Sequence, residues 1–91
     1  LPADIAVEVP ATFKDGKFTG EQITTLPEAF SGLLQNQVAV HQLTSEAVLN
    51  KSKKAVHQAL LVDPTVPTAA RLSELIECML LRQAKYLGYL E

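Results

Sequence analysis

Between Gly32 and Pro64 the chain contains neither glycine nor proline. Those are the two residues that most disfavour a helix interior, by about 1 and about 3 kcal/mol relative to alanine. So long an uninterrupted stretch commits the middle of the molecule to helix. Thr25-Leu26-Pro27-Glu28 reads as the entry signal, a T-x-x-E capping box with proline in the first turn, where its missing N–H costs nothing. The first helix is predicted over about 26–49, closed by Asn50, a residue that tolerates left-handed backbone. Ser52 caps a second, shorter helix over 53–62, with Ala55, Val56, Ala59 and Leu60 on one face. Asp63-Pro64 ends it, because proline pushes the preceding residue out of the helical region. Pro67 and Thr68 open a third helix over 68–87. Its stripe is Leu72, Leu75, Ile76, Met79, Leu80 and Leu87, with Arg71, Glu74, Glu77, Arg82 and Lys85 facing largely away.

The first quarter of the chain has a different period. Ile5, Val7 and Val9 alternate with Ala6 and Glu8, as in a strand with one buried face, and Pro10 makes it an edge strand or ends it. Phe13-Lys14-Asp15-Gly16-Lys17-Phe18 is a hairpin around a type I′ Asp-Gly turn, pairing Lys14 with Lys17 and Phe13 with Phe18. A lone hairpin is marginal, so a helix or further sheet is expected to cover its apolar side. The fold class is therefore α+β and mostly helical: strands within about 4–23, then three antiparallel helices, in one domain over 1–91.

Composition removes several classes of function. A net charge of -2 with scattered Lys and Arg offers no footprint for nucleic acid or an anionic membrane. No apolar run approaches the roughly 20 residues that span a bilayer. The lone cysteine, Cys78, excludes an internal disulfide and fits a reducing compartment. The chain opens Leu1-Pro2-Ala3-Asp4, without methionine, and enters strand-like sequence at once, so the expectation is a segment of a longer protein.

Few residues are dressed for chemistry. Gln37, His41 and Thr44 share one face of the first helix at i, i+4, i+7, among Phe30, Leu33, Leu34, Val40 and Val48. The bland reading is a satisfied polar seam in a core or interface; the sharp one is a pocket wall. His41, His57 and Cys78 lie on different helices and lack metal-ligand spacing, and Glu74 opposes thiolate formation at Cys78. Glu74 and Glu77 look like a solvated face beside Arg71, and Asp63 caps or turns the chain. There is no G-x-S-x-G, and Gly16 and Gly20 are turn residues, not a phosphate loop. Neither catalytic, cofactor-binding nor metal-binding residues are assigned.

Four pieces, in order, nevertheless form a pattern. Asp4-Ile5-Ala6-Val7-Glu8-Val9-Pro10 is similar to a D-x-x-V-E-V-P strand. Thr25-Leu26-Pro27 and a helix holding Gln37 and "QLTSEAVLN" match an L-P segment and long helix that ends in Glu46-Ala47. "KKAVHQALLVDP" matches a run closing in A-L-x-x-D-P, and "LSELIECMLLRQAKYL" a closing helix with Tyr86-Leu87 near its end. With these the chain resembles the C-terminal part of the family-4 glycoside hydrolases, the NAD- and manganese-dependent group of α-galactosidases, α-glucosidases and α-galacturonidases. It departs from that pattern at Asn50-Lys51-Ser52, where the family commonly has a Gly-Asp turn, and at Gly88, where it often has proline.

The resemblance implies part of a lactate/malate dehydrogenase-like C-terminal domain from a cytoplasmic, homo-oligomeric enzyme acting on a sugar substrate. An upstream Rossmann half would bind NAD, oxidise the sugar at C3, acidify C2 with help from manganese, and eliminate the glycosidic oxygen. The family's glycine-rich loop, metal-binding cysteine and histidine, and tyrosine base all precede this segment, so no catalytic role passes to Tyr86 or Tyr89. The chain alone is expected to be inactive. The rival reading is an independent helical interaction module, dimeric through the third helix.

Overall fold

The computed structural model describes residues 1–91. Two strands, β1 (Ala11–Lys14) and β2 (Lys17–Gly20), precede four helices: α1 (Glu28–Leu49), α2 (Lys53–Val62), α3 (Leu72–Arg82) and the single turn α4 (Ala84–Leu87). The α+β class with an N-terminal antiparallel hairpin is thus the observed one, and helices hold about half of the residues. The hairpin register is the expected one, Phe13 opposite Phe18 and Lys14 opposite Lys17. Asp15 and Gly16 supply the turn at φ 52° and 73°. A type I′ turn needs positive φ at both central residues, which asparagine, aspartate and glycine provide most readily.

Ser52 caps α2 as its sequence requires, its Oγ accepting from the Ala55 N–H at 3.1 Å. Its own N–H donates to the Ala47 carbonyl at 2.9 Å, the 6→1 bond that closes α1. One side chain and one backbone group therefore join the end of α1 to the start of α2. The left-handed residue in this link is Lys51, at φ 54°, and not Asn50, whose φ is -99°. Beyond α2, Asp63 Oδ1 accepts from the Thr65 N–H at 2.9 Å and the Thr65 hydroxyl at 2.8 Å. That local turn competes with continued helix.

Four expectations are corrected. Residues 5–9 form no strand, because β1 pairs only with β2 and offers them no partner. The capping box does not form: α1 starts one residue after Pro27, which has no side-chain cap. The third helix is not continuous over 68–87. Thr68 Oγ1 accepts from the Ala70 N–H at 3.1 Å and Arg71 sits at φ 58°, which delays α3 to Leu72. Gln83 then separates α3 from α4. This second break turns the chain end back towards the α1–α2 link, where the Glu91 N–H donates to Lys51 O at 2.6 Å and the Lys53 N–H to Glu91 O at 2.9 Å. Leu90 is buried by that return. Lastly, no helix covers the hairpin; α1 packs on α2, α2 on α3, and α3 on α4.

The α1–α2 contact is built on small side chains. Ala47, Ala55 and Ala59 are all buried there, and alanine lets two helix backbones approach closely without loss of side-chain entropy. Val38, Leu72, Ile76 and Leu90 complete the buried set, seven of 91 residues. Exposed surface is correspondingly large. The chain presents 7458 Å², where a compact monomer of its mass presents about 5,200 Å². Its radius of gyration is 17.3 Å, against about 12 Å for a compact domain of this length. The helices and hairpin are formed, but most of their apolar faces have nothing packed on them.

Candidate functional site

An open groove of about 930 Å³ lies between α1 and the two extended segments that flank the hairpin. Leu34, Gln37, Val38 and His41 form the α1 side, while Ile5 and Val9 stand among the lining residues opposite. Residues 5–9 all line it, odd and even alike, so their alternation does not divide a buried from a solvated face. Across from α1, Glu8, Glu21, Gln22 and Thr24 contribute the polar part of the lining.

Two of the three seam residues meet in this groove. Gln37 is half-buried and His41 exposed, and neither side chain has a hydrogen-bond partner. Thr44 stands apart, its hydroxyl donating to the Val40 carbonyl of its own helix at 2.7 Å. The apolar neighbours expected to bury the seam do not do so: Phe30 is 59% exposed, Leu33 67% and Val48 54%. Val40 and Ala47 lie on the side of α1 opposite Val38, which lines the groove, and the seam lies on the strip between these faces. Helical spacing puts the three on one strip, but spacing cannot reveal which side of a helix finds a partner. The role of Val38 as groove floor had no sequence signal beyond its apolarity.

The other titratable residues are dispersed. His57 lies near Lys53, Lys54 and Glu77 in a shallow depression of about 400 Å³ beside α2 and α3. Cys78 is exposed, and Arg71 pairs with Glu74 at 2.8 Å on an open surface, as the solvated-face reading anticipates. The Asp63 carboxyl is held below its ordinary value first by the Thr65 backbone N–H and then by the Thr65 hydroxyl. No three His, Cys, Asp or Glu side chains converge in metal-binding fashion. The donors of this chain therefore do not fit a manganese site, and no nucleotide-binding loop is present in its sequence. No helix is long and apolar enough to cross a membrane.

Comparison with known proteins agrees with the sequence pattern. Over all 91 residues the chain is 43% identical to an alpha-glucosidase of Erwinia rhapontici, covering 20% of that protein. Over 72 residues, 77% of the chain, it is 43% identical to a maltose-6'-phosphate glucosidase of Bacillus subtilis strain 168, of which it covers 15%. The chain thus spans about a fifth or less of the length of these relatives. No solved structure matches it. Residues 1–66 match the model of the family 4 glycosyl hydrolase C-terminal domain, and the chain belongs to that family.

Proposed function

We propose that this chain is the C-terminal structural part of a family-4 α-glycosidase, inert by itself, whose remaining polypeptide carries the redox and metal chemistry. The observation that carries this reading is the uncovered apolar surface: seven buried residues in 91 make a set of formed elements that still lack a common core. Kinship with glucosidases several times longer supplies the context. The names of those relatives favour an α-glucoside, free or phosphorylated, as substrate. An upstream Rossmann half holding NAD, with manganese bound outside this segment, belongs to the same reading, as do the lactate/malate dehydrogenase-like fold, a cytoplasmic location and homo-oligomeric assembly. Gln37 and His41 would line a contact surface within the whole enzyme, and Thr44 would serve its own helix.

The test compares two preparations. The full-length polypeptide should hydrolyse an aryl α-glucoside, or its 6-phosphate, only with NAD and a divalent metal supplied. The 91-residue chain should neither bind NAD in calorimetry nor turn over either substrate. Calorimetric binding of NAD by the short chain would defeat the proposal. A self-associating module remains the second reading, favoured by Leu75 and Met79, which are 53% and 50% exposed along α3. Its mark would be a dimer mass in light scattering that is lost on Leu75→Glu.

A further inference from the structure

We propose that the apolar face of the β1–β2 hairpin is the seat on which the upstream part of the same polypeptide packs, centred on Phe13 and Phe18. This rests on the reading of the chain as part of a longer glycosidase, and it assigns the contact to particular residues.

The register sorts the hairpin into two unlike faces. Cross-strand partners project to the same side and alternate residues to opposite sides. Ala11, Phe13, Phe18 and Gly20 therefore share one face, while Thr12, Lys14, Lys17 and Thr19 share the other. The phenylalanine rings lie 4.7 Å apart at a 44° tilt, already in contact, yet 63% and 78% exposed. Two lysines mark the opposite face as the one that remains in water. An amphipathic ribbon with no helix against it has only its own turn and ladder for support, which is marginal in water.

The apolar face does not end at the hairpin. A Cβ on Gly20 would come within 3.1 Å of Val9 Cγ2, so Val9 sits on the phenylalanine side of the ribbon. Val9 also lines the groove with Leu34 and Val38. One apolar surface thus runs from the ring pair, over Val9, to α1.

The size of the uncovered surface and the length of the relatives name the occupant. The 7458 Å² that the chain exposes is about 2,300 Å² more than a compact monomer of its mass. A standard contact between two folded proteins takes about 800 Å² from each. The surplus is more than one such patch would cover and is on the scale of a core divided between two pieces of polypeptide. Four-fifths of the Erwinia relative lies outside the stretch that this chain matches, which is polypeptide enough to supply the other side. The partner surface is accordingly apolar and uncharged where it meets the rings.

The experiment replaces Phe18 by the photoreactive p-benzoylphenylalanine in the full-length polypeptide, with Phe13 replaced in a second variant in case the first does not fold. After irradiation of the assembled enzyme, the products are separated under denaturing conditions and the cross-linked peptides identified by mass spectrometry. The expected product has the mass of one polypeptide, with the probe joined to a peptide N-terminal to Leu1. The same probe at Lys17, on the wet face, should cross-link several-fold less. A product of doubled mass would assign the face to a second copy and overturn the proposal. So would attachment within residues 1–91, or equal yields from positions 17 and 18. Glycoside turnover by the same preparation is read separately, so loss of the glycosidase reading and loss of this contact are distinguishable.

Discussion

Replacing Ser52 by alanine isolates one hydrogen bond at the link between α1 and α2. Ser52 Oγ accepts from the Ala55 N–H at 3.1 Å, while the Ser52 backbone N–H separately closes α1 on Ala47 O. Alanine keeps the second bond and removes the first. Loss of a serine cap costs about 1 kcal/mol, within a range of roughly 0.5–2, whereas glycine in its place costs only a few tenths. The donor left behind belongs to Ala55, the least exposed of the buried residues at 1%, so water has little access to replace the bond. The upper half of that range is the expectation here. For a chain of this size 1 kcal/mol corresponds to a fall in Tm of about 4–8 °C. Aspartate should do better than serine. The first turn of α2 carries Lys53 and Lys54 and no acidic residue, so a carboxylate at the cap gains both the N–H and the helix dipole, by about 0.3–1 kcal/mol. Thermal and urea unfolding of the four proteins, followed by helical circular dichroism, give the ordering Asp, Ser, Gly, Ala from most to least stable. If Ser52→Gly proved as damaging as Ser52→Ala, the loss would come from something other than this cap, and the reasoning would fail.

Three further expectations follow from the local geometry. Gly16→Ala places a side chain at φ 73° with nothing within 4 Å of its Cβ, so the cost is backbone strain alone, about 1–2 kcal/mol; amide exchange in β1 and β2 should speed up while that in α2 stays unchanged. Because the Asp63 carboxyl lies below its ordinary 3.8, its contribution to stability is fully present above that pH and is lost as pH falls through the folded value. Asp63→Asn keeps an oxygen for Thr65 and should remove this component from the acid limb of a stability–pH curve; an unchanged limb would contradict the assignment. His41→Ala should leave the unfolding midpoint of the 91-residue chain within about 0.5 kcal/mol of the parent, since an exposed, unpartnered side chain has little to lose. A large loss would mean that the histidine is held in a core.

How well the sequence announced each element depended on how local its cause was. The hairpin register was legible because Asp15-Gly16 sets the turn and the turn sets the pairing. The end of α2 was legible in Asp63-Pro64, and its start in Ser52, because caps act over two or three residues. The capping box at Thr25 failed because Pro27 took the N-cap position itself, so that the helix began at the glutamate. The expected strand at Ile5–Val9 failed because alternation describes a strand only where another strand exists to pair with it. For the candidate site, the strip of Gln37, His41 and Thr44 was legible as spacing. That Gln37 and His41 join the groove while Thr44 bonds to Val40 depended on where residues 5–9 and 21–26 ran.

The sequence by itself determined the order of elements, most of their boundaries, and kinship with the family 4 glycosyl hydrolase C-terminal domains. These rest on dihedral preference, short-range hydrogen bonds and motif order, all written within a few residues of where they act. Tertiary structure alone decided which apolar faces were covered. Periodicity predicts that a face is sticky; only the three-dimensional arrangement revealed that α1 gives Ala47 to α2, Val38 to the groove and Phe30 to solvent, and that the Phe13–Phe18 pair has no partner within the chain. Burial is a property of two surfaces, and a linear sequence specifies one at a time.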